Sequence, residues 1–204
     1  MRGIFITFEG IDGSGKTTQA EKLHQFLEAK GHRSLFTREP GGTSISEKIR
    51  QLLLDPGNRS MHPITELLLY SAARAQHTQE LIRPALERGE VVVCARFADS
   101  SLAYQGDGRS IAQSVVRELC SIATGGLEPH LTFLVDLAPE ESLRRSKRED
   151  RMEAEELDFY RRVRDGYLRL ARTAAQRISV LDGRKSVGEL HKEIVEIVEE
   201  KLGL

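Results

Sequence analysis

The sequence predicts an α/β fold: an open parallel sheet of five strands with helices on both faces. Three observations lead there. Short apolar runs alternate with longer helical patterns. The strand candidates are apolar at nearly every position, as strands covered on both faces must be. A Gly-rich turn joins the first strand directly to the first helix.

Residues 4–8 (IFITF) read as the first buried strand, and a helical pattern follows over 16–30, ended by Gly31. Residues 34–37 (SLFT) give the second strand. After the turn Pro40-Gly41-Gly42 comes a helix over 45–54, with Ile45, Ile49, Leu52 and Leu53 on one stripe. A long helical stretch spans 64–88, and Pro84 inside it predicts a kink or a split. Residues 91–94 (VVVC), 131–135 (LTFLV) and 178–181 (ISVL) are the remaining strands. Helical patterns cover 98–105, 110–124, 139–149, 153–176 and 187–202. No repeat, linker or low-complexity tract interrupts the 204 residues, so one domain over 1–204 is expected.

Composition narrows the function. Thirty Lys and Arg against 31 Asp and Glu leave a net charge of −1, so the global basic field that grips nucleic acid is absent. Cys94 and Cys120 do not form a CxxC pair and read as small buried apolar residues rather than a disulfide framework or zinc site. Glu9 ends the first apolar run too early for a signal-peptide core, and no stretch approaches the ~20 apolar residues that span a bilayer. A cytoplasmic enzyme with no membrane partner is the expectation.

The stretch Gly10-Ile11-Asp12-Gly13-Ser14-Gly15-Lys16-Thr17 matches GxxxxGK[ST], with a strand before it and a helix after it. In that context the backbone N–H groups curl inward onto phosphate oxygens, and the helix adds its positive end. Lys16 reaches the β- and γ-phosphates, and the Thr17 hydroxyl is the expected Mg²⁺ ligand. A phosphate-binding-loop (P-loop) NTPase-type three-layer fold follows. A guanine-reading NKxD motif is absent, and no carboxylate is identified that would activate water for a motor ATPase. A small-molecule kinase remains, because candidates exist for an acceptor pocket and a lid.

Four motifs in order then carry a resemblance that covers essentially the whole chain. They are Phe8-Glu9-Gly10-Ile11-Asp12-Gly13-Ser14-Gly15-Lys16-Thr17-Thr18-Gln19, Thr37-Arg38-Glu39-Pro40-Gly41-Gly42-Thr43, Ser71-Ala72-Ala73-Arg74-Ala75-Gln76-His77, and the stretch from Arg96-Phe97-Ala98-Asp99 through Ser100-Ser101-Leu102-Ala103-Tyr104-Gln105-Gly106. The chain resembles bacterial-type thymidylate kinases. Asp150-Arg151-Met152-Glu153 and Tyr167-Leu168-Arg169-Leu170-Ala171 are similar to that family's lid and following helix.

The resemblance implies phosphoryl transfer from MgATP to dTMP, a small helical lid near residues 143–153, and a homodimer. Gly10 through Thr18 would bind ATP, with Asp12 also meeting the sugar 3′-hydroxyl of dTMP. Tyr70 would stack on thymine. Arg74, one helical turn on and on the same face, would bond the base or clamp the acceptor phosphate. Arg96 follows an all-apolar strand, at the carboxyl edge where open α/β sheets bind ligands, and its fork suits phosphate. Ser100, Ser101, Tyr104 and Gln105 would line the base and sugar pocket, with Tyr104 excluding a ribose 2′-hydroxyl. Arg38 and Pro40 would shape its floor, and Arg50 would add charge. Gly13 stands where the other family type carries a loop arginine, so catalytic arginines would come from the lid: Arg145, Arg148 and Arg151. Glu153 and Asp158 would orient lid or base contacts.

One departure stands out. The family usually has Asp-Arg after the third strand, and here the pair is Ala95-Arg96. That change predicts weakened metal organisation, with Glu9 or Asp99 as substitutes. It also leaves two alternatives: a kinase for another pyrimidine deoxynucleotide, or a catalytically weakened nucleotide-binding regulator.

Overall fold

A computed structural model describes residues 3–145 and 150–204. Its sheet contains β1 (Ile4–Glu9), β2 (Ser34–Arg38), β3 (Val91–Ala95), β4 (Leu131–Asp136) and β5 (Ile178–Asp182). The strands run parallel in the order β2-β3-β1-β4-β5. The chain therefore reverses its direction of winding at β1, and ligands of such sheets gather at that switch point.

Alternation along the strands feeds two cores. Ile6, Phe8, Val91 and Val93 face α1 (Lys16–Ala29) and α9 (Val187–Leu202), where Leu23, Leu27, Ile194 and Val198 are fully buried. Phe5, Val92 and Cys94 face the other way, onto Ile82, Ala85 and Phe97. Further along that side, α8 (Leu157–Thr173) packs Tyr160, Val163 and Tyr167 beside Leu134 and Ile178. Every residue of β3 is buried, as its unbroken apolar run required. Cys94 and Cys120 are free and buried.

Two helical stretches differ from expectation in the same way. The stretch expected over 64–88 becomes α3 (Pro63–His77), a π segment (Thr78–Ile82) and α4 (Arg83–Glu87). The Arg83 N–H bonds back five residues to the Thr78 carbonyl. This wider turn absorbs Pro84, which has no N–H to offer a helical ladder. After α5 (Ala98–Ser101) a second π segment runs over Leu102–Gly108, closed by Arg109 N–H on the Tyr104 carbonyl, and α6 starts only at Gln113 (Gln113–Thr124). That wide turn aims Tyr104 and Gln105 inward, where both are buried.

The registers carry the motifs to one edge. Ala95 lies beside Phe8 on one side and Arg38 on the other, so the loops after β1, β2 and β3 leave the sheet side by side. The second loop is then fixed by α2 (Ser44–Leu54). Thr43 caps that helix at Ser46 N–H, and the Ser46 hydroxyl reaches the Ala73 carbonyl of α3 at 2.8 Å. Of the region 143–153 expected to form a lid, the first residues end α7 (Pro139–Arg145). Residues 146–149, with the candidate Arg148, lie outside the described residues.

Candidate active site

The phosphate loop is shaped by what a side chain would strike. Gly10, Gly13 and Gly15 have φ of 138°, 76° and 92°. A Cβ on Gly13 would stand 2.6 Å from the Ser142 carbonyl oxygen of α7. Gly15 begins α1 with no side-chain cap, so the first N–H groups of the helix remain available to an anion. Thr17 and Thr18 are exposed at that end. Lys16 bends over the loop, donating to the Ile11 carbonyl at 3.2 Å with Asp12 at 3.6 Å. Burial, and next the charge of Arg96, push the Lys16 amine down to about 8, against the opposing pull of Asp12 and Glu9.

Beside the loop lies a cavity. Asp12 and Arg96 form its inner end, Tyr70 and Tyr104 supply aromatic faces, and Ser100, Ser101 and Gln105 make a polar wall. Glu39, Pro40, Arg50, Leu54, Asp150 and Met152 complete its lining. Segments more than a hundred residues apart in sequence thus meet around one space.

Arg96 is the junction of loop and cavity. Its backbone has φ 72°, uncommon for a residue with a Cβ, and its N–H bonds the Phe8 carbonyl. The guanidinium meets Asp12 at 2.6 Å, the Gly10 carbonyl at 3.0 Å, Ser100 at 3.2 Å and the Tyr104 hydroxyl at 3.1 Å. Tyr104 also donates to Asp12 at 2.9 Å. Burial would raise the Asp12 carboxyl, but Arg96 first and Lys16 second hold it well below the usual carboxylate range.

Behind this junction is Glu9, fully buried at the end of β1. It accepts from Phe97 N–H at 2.7 Å, Ser100 at 2.5 Å and Tyr167 at 2.8 Å. Burial, helped by the charge of Asp99, raises it to about 7. Of the two proposed substitutes for an acid at position 95, only Glu9 stands at the junction. Asp99 is committed to Arg177 at 2.7 and 3.1 Å and lines a different cavity. Ala95 itself packs in the apolar cluster of Phe8 and Val93.

Several expected residues take supporting positions instead of facing the cavity. Arg74 is 2% exposed, and its donors go to Glu39 (2.8 Å), Ser101 (2.9 Å) and the Phe97 carbonyl (3.0 Å). It holds two cavity residues without lining the cavity. Arg38 likewise pairs with Glu47 at 3.0 Å and donates to the Pro40 carbonyl, which Arg50 also reaches at 2.9 Å. Arg151 was expected beside the phosphates. It is buried, with Nη1 on Glu66 at 2.7 Å and Nε on the Leu53 carbonyl at 2.8 Å, so its charge is already matched away from the loop. Arg145 does stand by the loop: its Cβ is 3.4 Å from a Cβ built on Gly13, and it bonds the Gly183 carbonyl at 3.2 Å and Glu141 at 2.7 Å. Asp158 is on the surface, paired with Arg161. Glu153 donates its N–H to Asp150 at 2.8 Å.

Sequence reasoning missed Ser142, whose hydroxyl donates to the Asp12 carbonyl and fastens α7 to the loop. It also assigned no role to Glu39, Glu66 or Tyr167. Glu39 and Tyr167 lay inside quoted motifs. Glu66 carried one signal, an acid on the face of α3 that also holds Tyr70.

Among the described residues no group of three or more His, Cys, Asp or Glu could cage a metal. The Thr17 hydroxyl, exposed at the start of α1, is a hard oxygen donor of the kind Mg²⁺ accepts.

Comparison with known proteins follows from this geometry. A sequence model of the family described as Thymidylate kinase matches residues 8–194. A thymidylate kinase of Symbiobacterium thermophilum is 50% identical over 98% of this chain and 94% of its own. One from Deinococcus radiodurans is 49% identical, covering 98% of each chain. The crystal structure of thymidylate kinase from Ehrlichia chaffeensis superposes with a TM-score of 0.81 at 35% identity, covering 98% of this chain and 99% of that one.

Proposed function

The chain belongs to the thymidylate kinase family, and we propose that it transfers the γ-phosphoryl group of ATP to dTMP, giving dTDP and ADP. The observation that carries this reading is Arg96: one guanidinium touches both the phosphate loop, at Gly10 and Asp12, and the cavity wall, at Ser100 and Tyr104. A phosphate seated in the cavity would lie next to a phosphate seated in the loop.

In the reaction an oxygen of the acceptor phosphate bonds to the γ-phosphorus. The bond from that phosphorus to the bridging oxygen breaks, and ADP leaves with the electron pair. The acceptor oxygen is already ionised near neutral pH, so the site has no need of a strong base. Its task is placement and charge. The loop N–H groups and Lys16 would hold the triphosphate, which restores the proton that burial weakens on Lys16. Arg96 would turn its fork from Asp12 to the acceptor phosphate and the moving group, freeing Asp12 for the sugar 3′-hydroxyl. Tyr70 would cover the base, and Tyr104, fixed by Asp12, would stand where a 2′-hydroxyl would project. Arg145, beside the loop, would leave Glu141 to reach the phosphates as a lid arginine. Thr17 would hold Mg²⁺, whose chemistry is to neutralise charge across the β- and γ-phosphates.

A homodimer belongs to the same reading. Exposed apolar side chains on α2 and α3, namely Ile45, Leu52, Ile64 and Leu68, support it, while the neighbouring Leu67 is core.

The test is ADP release with MgATP and, side by side, dTMP, dUMP, dCMP, dGMP and AMP. Strong preference for dTMP is expected. ATP binding without turnover on any acceptor would overturn the reading.

A further inference from the structure

Glu66 sits one helical turn before Tyr70 on α3 and is fully buried. A carboxylate out of water persists only when donors match its oxygens. Here the donors come from separate parts of the chain. Gln105 Nε2 donates at 3.0 Å, Arg109 reaches both oxygens at 3.1 and 3.0 Å, and Arg151 Nη1 lies at 2.7 Å. Burial would raise the carboxyl, but the hydrogen bonds and charge of Arg109, with Gln105 and Arg151, hold it below the usual range.

Two of these partners connect to the lining of the cavity. Gln105 is part of its wall. Arg151 is not, but its neighbours Asp150 and Met152 are. The segment that carries them is pinned at Arg151: Nη1 on Glu66, Nε on the Leu53 carbonyl at 2.8 Å, and its backbone N–H on the Leu54 carbonyl at 3.0 Å. Tyr160 adds a bond to the Met152 carbonyl at 3.0 Å.

We propose that Glu66 is a positioning residue for the acceptor nucleotide: by holding Gln105 and Arg151 on one carboxylate, it sets the wall and roof of the acceptor cavity as a single unit. Arg151 is then the anchor of the segment after the lid helix, and the charge it carries is spent on Glu66, not on the moving phosphoryl group. The inference rests on the cavity being the dTMP site. It deepens that reading by separating grip on the acceptor from grip on ATP.

Glu66→Gln keeps shape and removes the charge that both arginines face. Arg151→Lys keeps charge and loses the geometry that reaches Glu66 and Leu53 together. Both are assayed by initial rates and by calorimetric titration with dTMP alone. Each should raise KM for dTMP and the dTMP Kd by about 10-fold, the scale of one charged hydrogen bond, with KM for ATP within about two-fold of wild type. The double variant should bind dTMP no worse than the weaker single one. Unchanged dTMP constants in both variants, or equal rises for both substrates, would overturn the role, since a merely structural contact moves the active fraction and not one substrate's affinity. If Glu66→Gln does not fold, Arg151→Lys decides on the same criteria. Wild-type turnover of dTMP is measured in the same series: its absence overturns the acceptor reading itself, whereas its presence with unaltered constants in the variants removes Glu66 alone.

Discussion

The donor side and the acceptor side of this site are built in opposite ways. The phosphate loop is nine contiguous residues that offer backbone N–H groups with Lys16 and Thr17 among them, and its glycines are there because side chains would collide or strain. The acceptor cavity is made of side chains from the loops after β1, β2 and β3, from α2, α3, α5 and the second π segment, and from Asp150 and Met152. It stands on buried carboxylates. Glu9 holds Ser100 and Tyr167, Glu39 holds Arg74 and His77, and Glu66 holds Gln105, Arg109 and Arg151. A phosphate is recognised the same way wherever it occurs, so backbone geometry suffices. A particular base and sugar need shaped walls, and walls made of polar side chains need buried partners to hold them.

The sharpest way to break the contrast is at Arg96, which belongs to both sides. Arg96→Lys keeps the charge and loses the planar fork that spans Gly10, Asp12, Ser100 and Tyr104. A fall in kcat on the order of 10²–10³ is expected in steady-state assays. A change within three-fold would mean that charge alone matters there. Next in size is Gly13→Ala. With φ at 76° and the Ser142 oxygen 2.6 Å from the new methyl, it should cost about 1–3 kcal/mol of stability and weaken ATP binding. Thermal denaturation and nucleotide titration read both effects. The dTMP affinity should fall less than the ATP affinity, because the methyl strikes Ser142 and reaches the acceptor cavity only through Asp12. If dTMP binding falls equally, the two sides are not separable.

The same contrast explains what the sequence disclosed. The strands were legible to within a residue, because β3 and β4 are buried on both faces and must be apolar throughout. The phosphate loop was legible because its requirements are local. The π segments were not, since nothing in Thr78–Ile82 or Leu102–Gly108 marks a bond to the fifth residue instead of the fourth; tertiary packing selects it. Arg74, Arg96 and Arg151 look alike as letters. What separates them is the partner each finds 23 to 85 residues away: Glu39 and the Phe97 carbonyl for Arg74, Asp12 for Arg96, Glu66 for Arg151. Glu66 was readable only as an acid on the helix face that also holds Tyr70 and Arg74. Its partners were not readable, because long-range pairing leaves no period in the sequence.

The smallest expected effect concerns Glu9, where the two sides share a support. Its carboxyl stands at about 7 instead of the reference 4.5 because burial penalises the charged form. Between those values the folded protein keeps a proton that the unfolded chain releases. The stability Glu9 contributes is therefore complete below about 4.5 and is lost as pH rises through about 7. Glu9→Gln cannot titrate. Relative to wild type, its melting temperature should be lowest at pH 5, and the difference should shift in the variant's favour by pH 8. Thermal scans at pH 5, 6.5 and 8 measure this, and a difference independent of pH would mean that Glu9 stays ionised throughout. Its partners make the outcome informative. All three groups bonded to Glu9 can donate, so they suit the carboxylate, yet burial outweighs them. The hydroxyls of Ser100 and Tyr167 can rotate to accept from a protonated Glu9, whereas the Phe97 N–H cannot. Protonation at Glu9 would thus be felt by Ser100 and Tyr167, and through both by Arg96.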